Sequence, residues 1–246
     1  MKKIYSLKDI KKASKPTDAW WTVLAIDPIA FRLLWLISNF TKLTPNQITI
    51  ISFIFGLASA FSFLQGTWIY LVIGALLFEI AFLFDCVDGK LARLKGLKSG
   101  FGRYLDSILD QTRVFFVVSC LVQGQYLLTN DASYFLFGML YIFLYLIHWI
   151  SGYILYITGK EFYKKDVDVN NENVIQNKFP IIWEIKTYFD SKRISIFPDF
   201  VEADALAFFI FPILIQIKLG LLLGSIILFG DILIEASYFF LIKSKR

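Results

Sequence analysis

Long runs of apolar residues constrain this chain more than any other feature of its sequence. A transmembrane helix needs about 20 mainly apolar residues. The chain is 57% hydrophobic and only 18% charged, which excludes an ordinary soluble domain. We therefore predict an all-α, polytopic integral membrane protein with six transmembrane helices. The predicted spans are 46–64, 68–92, 103–128, 133–157, 203–217 and 220–242.

Two further segments lie outside these spans. Residues 26–40 are apolar but contain Arg32, and Trp20 and Trp21 precede them, as is typical of a helix in the membrane interface. A seventh span at this place is the alternative. Residues 159–200 are mainly polar and predict a cytoplasmic loop. We expect a cytoplasmic and interfacial segment over 1–42 and a membrane domain over 43–246.

The positions of the basic residues predict the orientation in the membrane. Residues 1–45 contain eight lysines and arginines, 90–103 five and 158–200 seven, whereas the opposite connections contain only Lys218. Cytoplasmic loops retain positive charge. We therefore expect a protein of the cell membrane whose two termini are both cytoplasmic. Contact with an anionic leaflet explains the net charge of +5, and we expect no nucleic-acid partner.

The stretch "FDCVDGKLARLKGLKSGFGRYLDSILDQTR", residues 84–113, carries four aspartates between two apolar runs. Asp85 and Asp88 are three residues apart, and Asp106 and Asp110 are four apart, so each pair shares one face of a helix. The short basic turn between the pairs makes the two helices antiparallel neighbours. We therefore expect all four carboxylates to converge near the cytoplasmic face of the membrane.

Four neighbouring carboxylates repel one another unless a cation binds among them. Oxygen ligands favour magnesium, manganese or calcium, and a pair of divalent ions is common in phosphoryl chemistry. Charged groups inside a membrane are costly and usually functional, which favours a metal site. The alternative is that the aspartates only form ion pairs with the basic residues of the same stretch: Lys90, Arg93, Arg103 and Arg113.

Small residues flank these aspartates at fixed distances. Gly89 directly follows Asp88, Ala92 lies one turn farther, and Gly102 lies one turn before Asp106. Small side chains let another helix or a ligand approach closely. We interpret the space left by these small residues as a binding site for a flat base and a diphosphate. The alternative is that the small residues serve helix packing.

The pattern Asp85-x2-Asp88-Gly89-x2-Ala92-Arg93-x8-Gly102-x3-Asp106-x3-Asp110 matches the signature of the CDP-alcohol phosphotransferase family at all eight positions. The segment "LTPNQIT", residues 43–49, also resembles the stretch that opens the first membrane helix in many members. The resemblance covers roughly 40–242, and the six predicted helices fit it. It leaves the N-terminal segment and the loop over 159–200 unexplained.

This resemblance implies a transferase of phospholipid or related polar lipid biosynthesis that displaces CMP from a CDP-alcohol with another alcohol's hydroxyl. Two divalent cations, Mg²⁺ or Mn²⁺, are expected on the four aspartates, with Asp110 also acting as the general base. The residues implied at the CDP site are Gly89, Ala92, Arg93 and Gly102, with Thr44 and Asn46 near the diphosphate.

The substrates are less constrained. We expect CDP-diacylglycerol as the donor, with transfer from CDP-choline or CDP-ethanolamine onto diacylglycerol as an alternative. Glu79, Arg103 and Arg113 are candidates for the acceptor site, although the lack of lysine and arginine in 133–157 favours an uncharged or zwitterionic acceptor. An intramembrane prenyltransferase and an ion transporter are rival functions that also use carboxylates within the membrane. A homodimer is one possible assembly, and the sequence leaves the oligomeric state open.

Overall fold

The structure is a computed structural model that describes residues 4–163 and 180–243, and this part of the chain is helical without any strand. The predicted all-α class is confirmed. Part of the predicted loop over 159–200, residues 164–179, lies outside the described residues, as do 1–3 and 244–246. The helices are α1 (Leu7–Lys12), α2 (Asp27–Phe40), α3 (Pro45–Leu64), α4 (Trp68–Lys95), α5 (Gly100–Thr129), α6 (Ser133–Tyr163), α7 (Pro180–Ser191), α8 (Phe200–Asp204), α9 (Phe211–Ile213) and α10 (Ile217–Lys243). Turns of π-helix over Thr22–Ile26 and Ala205–Ile210 lead into α2 and α9, respectively.

Five helices in the described residues are long and apolar enough to cross a membrane: Thr22–Phe40, Pro45–Leu64, Trp68–Lys95, Ser133–Ile157 and Ile217–Ser237. Four of them coincide with predicted spans, and the fifth contains the segment expected in the interface. The predicted span over 103–128 lies in the 30-residue helix α5, whose first half carries several charged residues. The predicted span over 203–217 is instead a continuous helix over 200–213, whose middle part, Ala205–Ile210, is π-helical.

Helix α3 packs against both α4 and α5, and the three helices form the scaffold of the site. Helix α4 ends in a Schellman turn at Gly96, whose positive φ of 69° favours glycine, and Ser99 caps the start of α5 by accepting a hydrogen bond from the Gly102 amide. At the other end, a Cβ on Gly124 would lie only 2.3 Å from the carbonyl oxygen of Phe63. Glycine at this position therefore lets α5 approach the end of α3.

The N-terminal region packs onto the helix that carries the first two motif aspartates. Ile10 of α1 and Leu34 of α2 are fully buried in one cluster with Val87 and Leu91 of α4. The side chain of Asn39 fixes the backbone of Tyr5, because it accepts a hydrogen bond from the Tyr5 amide and donates one to the Tyr5 carbonyl. Residues 5–40 are therefore part of the same packed structure as α4.

A buried aspartate joins three distant parts of the chain. Asp27 at the start of α2 pairs with Lys90 of α4 at 2.9 Å and with Arg193, which follows α7, at 3.2 Å. The Lys90 side chain is only 2% exposed and that of Asp27 only 3%. Loss of one member of a buried ion pair leaves an uncompensated charge, which is strongly destabilising.

We predict that Asp27→Asn destabilises the protein by about 3–5 kcal/mol, because Lys90 and Arg193 then lose their shared carboxylate. Thermal unfolding in detergent micelles would measure the loss. Asp18→Asn is the matched control, since Asp18 pairs only at 3.9 Å with a Lys15 side chain that is 60% exposed. Equal melting temperatures for the two variants would contradict a structural role for the buried pair.

Candidate active site

Three of the four motif aspartates form one cluster between α4 and α5. Carboxylate oxygens of Asp85, Asp88 and Asp106, one from each residue, lie within 4.8 Å of one another. The i, i+3 spacing places Asp85 and Asp88 on one face of α4, and the turn after Gly96 leads into α5, which carries Asp106. Helix α3 packs against both, whereas α4 and α5 have little direct backbone contact, unlike the predicted antiparallel neighbours. The two helices therefore bring together carboxylates that are up to 21 residues apart in the sequence.

The chemistry of this cluster fits a divalent cation. Asp88 is buried and accepts a hydrogen bond of 2.6 Å from the hydroxyl of Thr49 on α3. The Oδ1 atom of Asp106 is also buried, and it has no hydrogen-bond partner within the described residues. Buried carboxylate oxygens normally have a hydrogen-bond partner or bind a metal. Three oxygen donors of this kind suit magnesium or manganese.

The fourth aspartate lies beside this cluster and pairs with an arginine. Asp110 Oδ1 is 3.1 Å from Arg113 Nη2, and the carboxylates of the other three aspartates repel that of Asp110. Arg113 is only 4% exposed and also donates a hydrogen bond of 3.0 Å to the Ser52 hydroxyl. A Cβ on Gly56 would lie 2.5 Å from the aliphatic carbons of Arg113. The absence of a side chain on Gly56 therefore gives Arg113 its position.

A cavity of about 270 Å³ opens next to the carboxylate cluster. Its walls come from the start of α3, the second half of α4, the turn after it and the start of α5. Two of the clustered aspartates and three basic residues line the cavity, so its wall carries both acidic and basic groups. The lining residues are Pro45, Asn46, Thr49, Asp88, Gly89, Ala92, Arg93, Leu97, Lys98, Ser99, Gly102, Arg103 and Asp106.

Both motif glycines keep this cavity open. A Cβ on Gly102 would lie 2.9 Å from Ser99 Oγ and 3.0 Å from Asn46 Oδ1, and one on Gly89 would lie 3.4 Å from Arg93 Nη1. A side chain at Gly102 would therefore displace polar atoms of the cavity wall. A side chain at Gly89 would occupy the space in front of the Arg93 guanidinium.

The two arginines of the cavity are each held by a contact from another element. Arg93 Nε donates a hydrogen bond of 2.5 Å to the carbonyl of Ala13 in the N-terminal segment. Arg103 Nη1 donates one of 3.2 Å to the Tyr156 hydroxyl on α6. Neither arginine forms an ion pair with a motif aspartate in the described residues, whereas Arg113 does. Within the described residues, Asp110 is therefore the one motif aspartate that forms an ion pair, as the alternative to a metal site expects of all four.

Five of the six residues predicted for the CDP site line this cavity, and Thr44 does not. The predicted residues Asp85, Asp110, Glu79 and Arg113 also lie outside its lining. Thr44 caps α3 in a reciprocal pair of hydrogen bonds with Gln47. Glu79 accepts a hydrogen bond of 3.1 Å from the Trp21 indole nitrogen. Arg113 is buried behind Asp110. Their proposed roles with substrate remain predictions.

Sequence reasoning missed several residues of the cavity, among them Thr49, Lys98 and Ser99. Thr49 had a signal, because it lies three residues after Asn46 and so shares its helix face. Lys98 and Ser99 lie in the turn between α4 and α5. Only the path of that turn brings them to the cavity.

Known proteins with similar sequences include the following two. The bifunctional IPC transferase and DIPP synthase of Thermococcus kodakarensis is 39% identical over 70 residues, which are 28% of this chain and 15% of that protein. The archaetidylinositol phosphate synthase of Pyrococcus horikoshii is 37% identical over 70 residues, which are 28% of this chain and 35% of that protein. The matched region therefore spans well under two thirds of either relative.

Among solved structures, this chain is similar to the phosphatidylinositol phosphate synthase of Mycobacterium tuberculosis with CDP-DAG bound. The TM-score is 0.49 at 19% sequence identity, over 87% of this chain and 92% of that one. The family model for CDP-alcohol phosphatidyltransferase matches residues 42–169, which are more than half of the chain and include the whole aspartate motif. The family predicted from the motif is confirmed, and the chain belongs to the CDP-alcohol phosphatidyltransferase family.

Proposed function

We propose that this protein transfers a substituted phosphate group from a CDP-alcohol to the hydroxyl of a second alcohol and releases CMP. The observation that carries the proposal is the cluster of Asp85, Asp88 and Asp106 beside a cavity of about 270 Å³. The family match supports the same reaction class over that of a prenyltransferase or a transporter. We take CDP-diacylglycerol as the donor, which places the reaction in phospholipid or related polar lipid biosynthesis.

The cluster is the proposed site for two divalent cations, Mg²⁺ or Mn²⁺, with Asp110 as the fourth ligand. Bound there, the cations would neutralise the diphosphate and stabilise the departing CMP. Thr49 orients one of the ligands, because its hydroxyl donates to Asp88 Oδ2 and leaves the other oxygen of that carboxylate for a cation. Asp106 contributes a buried oxygen that has no hydrogen-bond partner in the described residues.

The cavity walls suit a nucleotide diphosphate. Gly89, Ala92 and Gly102 leave room for a flat base, and Asn46 offers an amide group at the same wall. The guanidinium of Arg93 faces the space over Gly89, where it can donate two hydrogen bonds to a phosphate. We therefore assign Arg93 to the diphosphate and the small residues to the cytidine.

Asp110 is the proposed general base. Arg113 holds its Oδ1 atom, so the Oδ2 atom is the one available to accept the proton of the acceptor hydroxyl. As that proton moves, the hydroxyl oxygen forms a bond to the phosphorus that carries the donor alcohol, and the bond to CMP breaks. Arg113 acts through Asp110, because it orients the carboxylate from inside the bundle.

The membrane arrangement proposed from the sequence keeps six spans, with both termini and the active site on the cytoplasmic side. In this arrangement α5 and the partly π-helical segment over 200–213 are counted as spans beside α3, α4, α6 and α10, and the helix Thr22–Phe40 lies in the interface. The proposed division is a segment over 1–42 and a membrane domain over 43–246, with 159–200 as a cytoplasmic loop.

The acceptor is the least constrained substrate. The lack of lysine and arginine in 133–157 favours an uncharged or zwitterionic alcohol. However, Lys98 and Arg103 also line the cavity, in addition to Arg93, which we assign to the diphosphate. A relative is named archaetidylinositol phosphate synthase. Inositol and inositol phosphate are therefore the first pair of acceptors to compare.

The purified protein with CDP-diacylglycerol and a panel of acceptors should release CMP in the presence of magnesium or manganese. Glycerol 3-phosphate and serine complete the panel, and CDP-choline with diacylglycerol tests the alternative donor. We expect excess chelator to abolish CMP release, because the clustered carboxylates repel the diphosphate without cations. Readdition of magnesium should restore it. Full turnover in excess chelator would contradict the proposed metal site.

Asp110→Asn should reduce turnover by about 10²–10⁴-fold, which is the usual contribution of a general base. Binding of CDP-diacylglycerol with magnesium should change much less, because the three clustered aspartates remain. Asp85→Asn is the comparison variant and should weaken metal-dependent binding as well as turnover. Nucleotide titrations beside rates of CMP release separate the two effects. Near-normal turnover of Asp110→Asn would require a different base.

Gly56→Ala should also reduce kcat, by up to about 10²-fold, because its Cβ displaces Arg113 and misplaces Asp110. The matched control is Gly230→Ala, a position where an added Cβ meets no atom within 4 Å. Rates of CMP release and melting temperatures would be measured for both variants. If the two variants kept equal kcat values, the position of Arg113 would not matter for turnover.

A further inference from the structure

The N-terminal segment, defined here as residues 5–18, is attached to the protein at several points along its length. Tyr5 is held by Asn39, and Ile10 is 0% exposed in the cluster with Val87 and Leu91. At its far end, the amide of Asp18 donates to the carbonyl of Arg193 at 2.9 Å. The segment lies outside the residues that match the family model, which begin at residue 42.

Between these attachments, the segment contacts a residue of the active-site cavity. The carbonyl of Ala13 accepts the hydrogen bond from Arg93 Nε, and Ala13 itself is only 7% exposed. This bond uses Nε, the guanidinium nitrogen that is bonded to the aliphatic part of the Arg93 side chain. The two terminal nitrogens are left facing Gly89, where an added Cβ would lie 3.4 Å from Nη1 and 3.9 Å from Nη2.

We propose that the N-terminal segment is a positioning element of the active site, in which the Ala13 carbonyl fixes the Arg93 guanidinium for a phosphate of the donor. The inference rests on the proposed function, since a phosphate in the cavity requires a CDP-linked substrate. A guanidinium whose direction is already fixed loses little entropy when it binds a phosphate with both terminal nitrogens. Detachment of the segment therefore weakens donor binding more than it slows the chemical step.

The contacts around Ala13 set the position of its carbonyl. The amide of Ala13 donates to the carbonyl of Ile10 at 3.0 Å, so the carbonyl follows directly from the end of α1. Two residues later, Arg193 Nε donates to the carbonyl of Lys15 at 3.1 Å. Burial of Ile10 on one side and the bond from Arg193 on the other hold the carbonyl against Arg93.

Ile10→Asp is the test variant, because a carboxylate at this fully buried position removes α1 from its cluster. Leu7→Asp is the matched control, since it makes the same change one turn earlier on a side chain that is 56% exposed. We expect KM for CDP-diacylglycerol to rise roughly tenfold in Ile10→Asp, the effect of one lost charge-assisted hydrogen bond, with a smaller change in kcat. Leu7→Asp should keep both constants.

A double-mutant cycle separates positioning from a general loss of structure. Arg93→Gln should raise KM by itself, and Ile10→Asp should add little in that background, because the segment acts through Arg93. Independent losses that multiply in the double variant would overturn the proposal. If Ile10→Asp does not fold, Asn39→Asp replaces it, since a carboxylate cannot donate to the Tyr5 carbonyl.

A second readout does not depend on enzymatic activity. Phenylglyoxal modifies free guanidinium groups, and mass spectrometry can compare Arg93 with the exposed Arg103 in the same protein. Arg93 should react faster in Ile10→Asp than in wild type or Leu7→Asp, while Arg103 should react equally in all three. Equal Arg93 rates would overturn the positioning even if the enzyme is active. If Arg93 reacts faster in Ile10→Asp but the wild-type protein releases no CMP, the result supports the Ala13 contact and contradicts the proposed function.

Discussion

The repulsion among three carboxylates within 4.8 Å is the constraint on which the rest of this site depends. Asp85, Asp88 and Asp106 are held by packed helices, so they cannot move apart to relieve it. Neighbouring carboxylates in a bundle of low polarity favour protonation or a bound cation. A fold that keeps them together is therefore suited to bind cations and, with the cations, an anionic substrate.

Helix α3 supplies the polar and small residues that hold this arrangement in place. Thr49 donates to Asp88, and Ser52 accepts a hydrogen bond from Arg113, so α3 contacts both motif helices. Gly56 gives the Arg113 side chain its space next to α3. The proposed base, Asp110, thus depends on a helix that carries none of the motif aspartates.

The parts of the chain outside the motif hold the Lys90 and Arg93 side of α4 in place. Asp27 pairs with Lys90 in the motif stretch and with Arg193, so one carboxylate links the N-terminal region, α4 and the chain after α7. The Ala13 carbonyl contacts Arg93 from the same region. Residues without a recognisable motif thereby hold Arg93 at the cavity.

The sequence by itself determined the helical class and the family, because bilayer-length apolar runs and fixed spacings of aspartate and glycine are local features. It also predicted that all four motif aspartates converge, and three of them, Asp85, Asp88 and Asp106, form one cluster. The prediction took α4 and α5 as direct neighbours, whereas α3 packs against both of them. The tertiary structure decided which cations face the cavity. Arg113 was a candidate for the acceptor site, yet Gly56 and Ser52 hold Arg113 inside the bundle beside Asp110.

The partners of Lys90 and Arg93 are likewise a matter of the tertiary structure alone. Asp27 and Ala13 lie 63 and 80 residues before them, respectively, and no local pattern links the members of either pair. Such contacts arise only when α1 and α2 pack on α4 through buried side chains such as Ile10 and Leu34. Spacing determines which residues share a helix face, whereas packing between helices determines what each face meets.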